Sequence, residues 1–370
     1  MINVIFGAGE TGKRALSKYG KKNVVFFVDN DTAKSGSFIF GIPVRYFKDC
    51  IEDLRTAHII IACKAWKTIE KQLLSFNLRN YEIYGNSGYI DIPELVLNPY
   101  VEERPVNKKW LREEINRQVK EIEPDAMFDH VEIETINRCN GVCSFCPVNR
   151  NNDVRVYRRM DDSVFEKIID ELAEMNYRGR IALFSNNEPL LDDRIVKFHE
   201  MTRKKLPNAR MHLCTNGTLL SLDIFTALME NLDELIIDNY NQELLLIPNA
   251  KIIFDYCENH ADLKSKVTIV LRKPNEILTS RGGDSPNKVR EKSEADVSCL
   301  LPYKQLIIRP DGKVSLCCND ALGKCTLGDV SLNSLSEIWN GREFRNIRKK
   351  MREGRINIPR CRYCDTLFLC

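Results

Sequence analysis

Three cysteines, Cys139, Cys143 and Cys146, follow one another at C-x3-C-x2-C spacing directly after the apolar-alternating stretch Val131 to Ile136. Three thiolates on one short loop leaving a strand can hold three irons of a cubane [4Fe-4S] cluster and leave the fourth iron free to bind a small molecule. Two blander readings compete. Cysteines are often buried for packing alone, and zinc uses similar spacings. Zinc wants a fourth ligand nearby, however, and His130 lies nine residues before Cys139, across the expected strand. A second group crowds residues 289–370: Cys299, Cys317, Cys318, Cys325, Cys361, Cys364 and Cys370. Between the first two of these, Gln305 to Leu316 reads as a β-hairpin turning at Pro310-Asp311-Gly312, which makes Cys299 and Cys317 neighbours. Cys361-Arg362-Tyr363-Cys364 then adds a C-x2-C pair from a distant loop. A zinc ribbon and a second iron–sulfur site both suit such a set.

Fourteen cysteines in 370 residues make the redox compartment important. No apolar run reaches the ~18 residues needed to span a bilayer. Met1 to Phe6 runs straight into a glycine turn instead of the pattern of a signal peptide, so a cytoplasmic protein is expected. A reducing compartment favours metal or cluster ligation over disulfides. With 43% hydrophobic and 29% charged residues the chain can bury a sizeable core and form two or three domains. A net charge of +3 gives no argument for a nucleic-acid or membrane-surface partner.

The elements that must carry the first cysteine loop alternate in type. A helix over Asp162 to Met175, a strand over Arg180 to Phe184, a helix over Asp192 to Lys205 and a strand over Met211 to Cys214 come first. A helix around Leu222 to Met229 and strands over Glu234 to Ile237 and Val267 to Leu271 complete a parallel α/β pattern. The cysteine spacing, Phe145 before the third cysteine and the strand ahead of the loop resemble the radical S-adenosylmethionine (SAM) superfamily. The resemblance implies a partial (β/α)6 barrel over residues 129–288, with its site at the C-terminal strand ends. It also implies that the open iron chelates the methionine end of SAM. One electron, from a carrier such as flavodoxin or ferredoxin, would then cleave SAM to a 5′-deoxyadenosyl radical that abstracts a substrate hydrogen.

Ser185-Asn186-Asn187-Glu188-Pro189-Leu190-Leu191 stands where that family has Gly-Gly-Glu-Pro-Leu. Glu188 thereby becomes the carboxylate for the SAM ammonium, with Asn186 and Asn187 replacing both glycines; asparagine tolerates unusual φ better than most residues. Thr215-Asn216-Gly217-Thr218-Leu219-Leu220 matches a second family signature and turns Thr215 and Asn216 toward the SAM ribose or the substrate. Asp238-Asn239-Tyr240 and Arg272 hold equivalent strand ends. Arg281, within Thr279 to Gly283, could pair a carboxylate or phosphate.

Residues 1–95 form a separate unit. Val4-Ile5-Phe6, the turn Gly7-Ala8-Gly9-Glu10-Thr11-Gly12, a helical stretch and the strand Val24 to Val28 ending at Asp29 give the G-x-G-x-x-G arrangement of a Rossmann-like fold. Gly7, Gly9 and Gly12 permit a tight turn and approach of a phosphate to the helix start, and Asp29 could accept from a ribose hydroxyl. With Gly41-Ile42-Pro43-Val44, the unit resembles truncated Rossmann domains attached to polysaccharide-pathway transferases. That implies a nucleotide, nucleotide-sugar or docking role in preference to NAD redox chemistry. Residues 96–128, with Pro99, Pro105 and the helical stretch Lys108 to Ile122, read as a linker and connecting helix.

Residues 289–370 resemble the auxiliary-cluster extension of radical SAM enzymes, called SPASM in its long form and twitch in its short form. The long form continues with further cysteines, whereas this sequence stops at Cys370. The resemblance therefore implies one auxiliary [4Fe-4S] cluster held by Cys299, Cys317, Cys361 and Cys364, with Cys318, Cys325 and Cys370 left over. A fully ligated cluster cannot chelate substrate, which favours acceptance of the electron left on a substrate radical. Net dehydrogenation of a sugar-like or other small molecule follows. The alternatives are cross-linking or epimerisation of a peptide and, in another class, a non-catalytic iron–sulfur or zinc scaffold.

Overall fold

The computed structural model describes residues 3–63, 65–84, 95–100, 108–123, 126–294 and 297–368. The chain divides into two compact units, Met1–Ile92 and Pro93–Cys370. Among the described residues no helix is long and apolar enough to cross a membrane.

In the first unit β1 (Asn3–Phe6), β2 (Val24–Asp29), β3 (Phe38–Ile39), β4 (Ile42–Tyr46), β5 (His58–Ile61) and β6 (Tyr81–Ile83) form one sheet in the order β3-β4-β2-β1-β5-β6. All neighbours are parallel except β3 with β4. The unbroken apolar runs of the central strands are explained by helices on both faces, as parallel sheets require. Ala15 and Leu16 of the helix Glu10–Tyr19 pack with Ile5 and Phe27 on one side. Ile69 and Leu73 of the helix Trp66–Ser75 pack with Val4 and Phe6 on the other. The unit is thus a parallel α/β sheet with helices on both faces.

Among the described residues the second unit has nine strands: β7 (Val96–Leu97), β8 (His130–Ile133), β9 (Arg180–Ala182), β10 (Arg210–Thr215), β11 (Glu234–Tyr240), β12 (Val267–Arg272), β13 (Gln305–Ile308), β14 (Lys313–Ser315) and β15 (Thr326–Asp329). Their order is β15-β14-β13-β8-β9-β10-β11-β12-β7, and every pair from β13 to β7 is parallel. Helices Asp162–Glu174, Ile195–Lys205, Leu222–Met229 and Pro248–Glu258 separate the strands from β8 to β12, which gives the partial barrel.

Two placements differ from the sequence reading. Val96–Leu97, read as linker, pairs with Ile269 and Val270 at the β12 edge. The hairpin β13–β14 forms as expected, with Ile307 opposite Ser315, and its first strand also joins the barrel sheet. β13 runs parallel to β8, from Gln305 beside His130 to Ile308 beside Ile133. An open barrel leaves strand edges with unpaired backbone groups, and Leu306, Ile307 and Ile308, all buried, bring an apolar strand to that edge. Both cysteine groups therefore stand on one sheet. Period-two alternation aims the site residues: in β11 Leu235, Ile237 and Asn239 are buried outward, so Asp238 and Tyr240 turn to the barrel interior.

Candidate active site

Because the strands are parallel, their C-terminal ends release loops on one side of the barrel. Loops after β8, β9, β10 and β12 converge there with Cys318, which follows β14, on a cavity of about 300 Å³. Cys139, Cys143 and Cys146 line one wall, beside Glu188, Thr215 and Asn216. Glu132, Arg281 and Cys318 line the wall toward the second cysteine group.

The cluster loop is held from both sides. Asn149 Nδ2 donates to the carbonyls of Cys143 (3.1 Å) and Cys146 (2.9 Å). Asn140 and Asn216 tie the loop to the turn after β10 through Asn216 Nδ2 to Asn140 Oδ1 at 2.7 Å. From the β12 side, Ser144 N donates to Pro274 O (2.8 Å) and Ser285 Oγ to Phe145 O (3.0 Å). The residues fit an iron–sulfur cluster: Cys139, Cys143 and Cys146 line one cavity, and a Cβ at Gly141 would point at the Cys139 and Cys143 sulfurs, 3.3 and 3.9 Å away, so glycine keeps that space open.

Glu188 is placed at the cavity, yet its carboxylate is already engaged. Thr215 Oγ1 (2.6 Å) and Leu190 N (3.1 Å) donate to Oε1, and Asn216 N (2.8 Å) donates to Oε2. Burial pushes this carboxyl up, and the same three donors pull the other way. Glu188 thus fixes the Thr215-Asn216-Gly217 turn as well as facing the cavity, and Gly217, at φ +73°, leaves no room for a Cβ beside Ile237. Asn187 Oδ1 accepts from Ser185 N (3.0 Å), while its Nδ2 is a buried donor without a partner at the cavity wall. Asn186 Nδ2 donates to Cys318 O (3.0 Å), and its Oδ1 accepts from Arg281 (3.3 Å). We expect Glu188→Ala to weaken SAM binding by about 1.5–3 kcal/mol, the range for a hydrogen bond to a charged group, with iron content unchanged. Equilibrium dialysis on reconstituted protein checks it; unaltered affinity would remove Glu188 from the SAM site.

Sequence reasoning missed Arg155. Its guanidinium, nearly buried, pairs with Glu134 (2.9 Å) and Asp153 (3.0 Å) and donates to the carbonyls of Asn137 (3.0 Å) and Asn186 (2.9 Å). It welds the start of the cluster loop to the β9 loop. Glu132 was missed as well, being read as one residue of an alternating strand. It is buried, accepts from Gln305 Nε2 (2.6 Å), and burial pushes its carboxyl up to about 7 against the pull of Ser185, Arg281 and Arg180.

The segment 274–287 joins the two cysteine groups. Besides clasping Ser144 and Phe145, it donates Ser280 Oγ to Tyr363 O (2.7 Å), and Ser280 N to Asp365 Oδ1 (2.7 Å). Arg281, Gly282 and Gly283 all have positive φ, and for arginine at +49° that backbone is strained. The strain aims the guanidinium at the cavity. Below it Cys317, Cys361 and Cys364 are buried and Cys299 half-buried. Burial raises the Cys317 thiol, and Cys318, Cys361, Cys299 and Cys364 all push it the same way, as thiols gathered at one place do. Buried Arg355 staples the set: it donates to the carbonyls of Ser298 (2.5 Å), Cys364 (3.1 Å) and Thr366 (2.7 Å). Cys325 lies beside this group, where Asp320 accepts from its N–H (2.9 Å). Cys370 lies outside the described residues.

In the first unit Gly7, at φ +121°, has no room for a Cβ beside the Ala62 carbonyl, and Gly12 none beside the Gly7 carbonyl, so packing alone accounts for both. Gly9 opens onto free space at the helix start. Asp29 is occupied: it accepts from Ala8 N (2.8 Å), Asp31 N (2.9 Å) and Lys34 Nζ (2.8 Å). A ribose hydroxyl would have to share that carboxylate.

Residues 133–242 match the model of the radical SAM superfamily, and residues 299–365 match SPASM, an iron–sulfur cluster-binding domain. The S-adenosyl-L-methionine-dependent 2-deoxy-scyllo-inosamine dehydrogenase of Niallia circulans is 28% identical over 246 residues, 66% of this chain and 95% of that protein. The crystal structure of BtrN in complex with AdoMet and 2-DOIA matches with a TM-score of 0.56 at 26% identity, over 66% of this chain and 95% of its own. An open conformation of BtrN matches at 0.50 with 24% identity, over 65% and 94%, which bears on the fold alone. Each family match falls on one of the two cysteine groups that the shared sheet brings together, and the chain is a radical SAM enzyme with a C-terminal SPASM iron–sulfur domain.

Proposed function

We propose that this enzyme dehydrogenates an alcohol of a sugar-like or cyclitol substrate. The observation that carries the reading is the single cavity bounded by the Cys139 loop on one side and by Glu132, Arg281 and Cys318, next to the second cysteine set, on the other. The dehydrogenase activity and 2-DOIA ligand named for the relatives support it. Cys139, Cys143 and Cys146 would hold the SAM cluster, and Cys299, Cys317, Cys361 and Cys364 one auxiliary cluster; when bound, these groups and SAM supply the hydrogen-abstracting radical and an acceptor for one electron. Asn186, Asn187, Glu188, Thr215 and Asn216 form the SAM wall. The N-terminal unit would serve nucleotide-type binding or docking, supported by the open helix start at Gly9.

Oxidising a secondary alcohol removes a hydrogen atom from carbon, a proton from the hydroxyl and an electron. The proton needs an acceptor that is ionised near neutrality. Glu132 meets that need, since its carboxyl is pushed up to about 7 at the cavity wall. Arg281 would orient the hydroxyls of the substrate and bias Glu132 toward its charged form.

Anaerobic reconstitution with SAM, dithionite and 2-deoxy-scyllo-inosamine as probe tests the reading. We expect 5′-deoxyadenosine and ketone in equal amounts; 5′-deoxyadenosine with no ketone from this or related amino-cyclitols would reject the substrate class. A base must be deprotonated, so turnover should fall as pH drops below about 7 and level off above it. Glu132→Gln should lower ketone formation by about 10²–10⁴-fold and abolish that pH limb, while SAM cleavage without substrate persists. A variant that keeps the wild-type pH profile would remove Glu132 from proton transfer.

A further inference from the structure

Residues 150–159 run along the outer edge of the cluster loop. Arg150 N donates to Gly141 O (2.9 Å), Asn137 N donates to Arg158 O (3.1 Å), and Ile136 pairs antiparallel with Arg159. The strip is thereby fixed beside the backbone on either side of Cys139. Its alternation is inverted. Asp153 and Arg155 turn inward to 5% and 9% side-chain exposure, while Val154, Val156 and Tyr157 turn outward to 80%, 71% and 54%. Val142, between the first two cluster cysteines, is exposed as well. Contiguous apolar groups held outward by a charge network that fixes the site mark an interaction surface more than a chance of composition. The strip has four arginines and one aspartate; Arg150 and Arg158 lie exposed around the apolar residues, while Arg159 is paired with Asp192 and Asp193. The single aspartate is the buried Asp153.

We propose that this strip is the docking surface of an acidic one-electron carrier of the flavodoxin or ferredoxin kind that reduces the Cys139 cluster. The inference rests on the proposed SAM chemistry for the need of a reductant. In the step itself one electron leaves the reduced carrier and enters the cluster; no proton or group moves. Electron transfer weakens steeply with distance, so the carrier must seat where the cluster loop reaches the surface, and Val142 and the strip form that edge. Redox encounters are small and transient. A few apolar side chains rimmed by arginines suit them, because charge steers the approach and the apolar contact holds the pose.

The test uses purified bacterial flavodoxin, reduced by its NADPH-dependent reductase, with reconstituted enzyme. Val154→Asp/Val156→Asp should slow flavodoxin-driven reduction of the cluster, followed by its electron paramagnetic resonance signal without SAM, by about tenfold or more, the effect of about 1.4 kcal/mol. Dithionite-driven reduction should be unchanged. Arg158→Glu should weaken flavodoxin binding measured by calorimetry, most at low ionic strength. Equal loss with both reductants, or no loss with either, overturns the proposal. So does sedimentation showing a wild-type dimer that the double variant converts to monomer, which would make the strip a self-association surface. Since the readout is cluster reduction, failure of the docking proposal remains distinguishable from failure of SAM cleavage.

Discussion

Replacing Cys139, Cys143 and Cys146 together by alanine is expected to abolish SAM cleavage and leave about half of the wild-type iron, the share of one of two four-iron clusters. The two cysteine sets are independent in the sense that matters for this experiment. The first stands on the loop after β8 and is fixed by Asn149, Ser285 and the backbone of Pro274. The second is fixed by Arg355 and by the hairpin β13–β14, and among the described residues neither hydrogen-bonds to the first loop. The fold should survive, since the barrel core of Val131, Ile133, Ile181, Leu213, Leu235 and Ile237 does not depend on the three thiols. Iron analysis, circular dichroism and chromatography of 5′-deoxyadenosine report the three quantities separately. Iron near zero with an intact fold would mean that the second set does not hold a cluster by itself, and continued SAM cleavage would place the reactive cluster elsewhere.

What could be read from the sequence was local. The cysteine loop, the glycine turn, the Pro310-Asp311-Gly312 hairpin and the alternation of strands and helices are each set by neighbours within a few residues, and each stands where expected. What could not be read depends on partners far along the chain. Nothing near β13 says that it will pair with β8, some 173 to 175 residues earlier, and so merge the extension with the barrel. Glu188 was legible as a site residue from its motif, but its donors Thr215 and Asn216 lie 27 and 28 residues on, so its positioning role was not. Arg155 reads as a surface charge in a polar loop until Glu134 and Asn186 are seen to meet it. In that loop the charge network around Arg155 claims the interior side, and Val154 and Val156 face outward.

Cys361→Ala is expected to lose about half of the iron and all dehydrogenation, yet to keep abortive formation of 5′-deoxyadenosine. The position is central to its set: Cys361 is buried, and Cys299, Cys364 and Cys325 all raise its thiol beyond what burial does. An alanine there removes one of the four proposed ligands from a site whose backbone is held in place, with Cys364 N bonded to Cys361 O at 3.0 Å and Arg355 holding Cys364 O. Cys318 is a poor substitute for geometric reasons: it lines the cavity it shares with the Cys139 loop, where its carbonyl accepts from Asn186 and its N–H is held by Gln305 at 3.3 Å. Cys318→Ala should therefore keep the full iron content, and a loss of one cluster there would make Cys318 a ligand. The retained SAM cleavage separates two roles that a simple inactive mutant would confuse. On the proposed reading the Cys139 loop would hold the group that supplies the radical without help from the second set, whereas a substrate radical in the cavity would need an electron acceptor beyond Glu132 and Arg281, whose side chains can take a proton and hold a hydroxyl but cannot take an electron. Ketone formation by Cys361→Ala with its iron halved would show that the second cluster is structural, and the electron would then have to return through the Cys139 side.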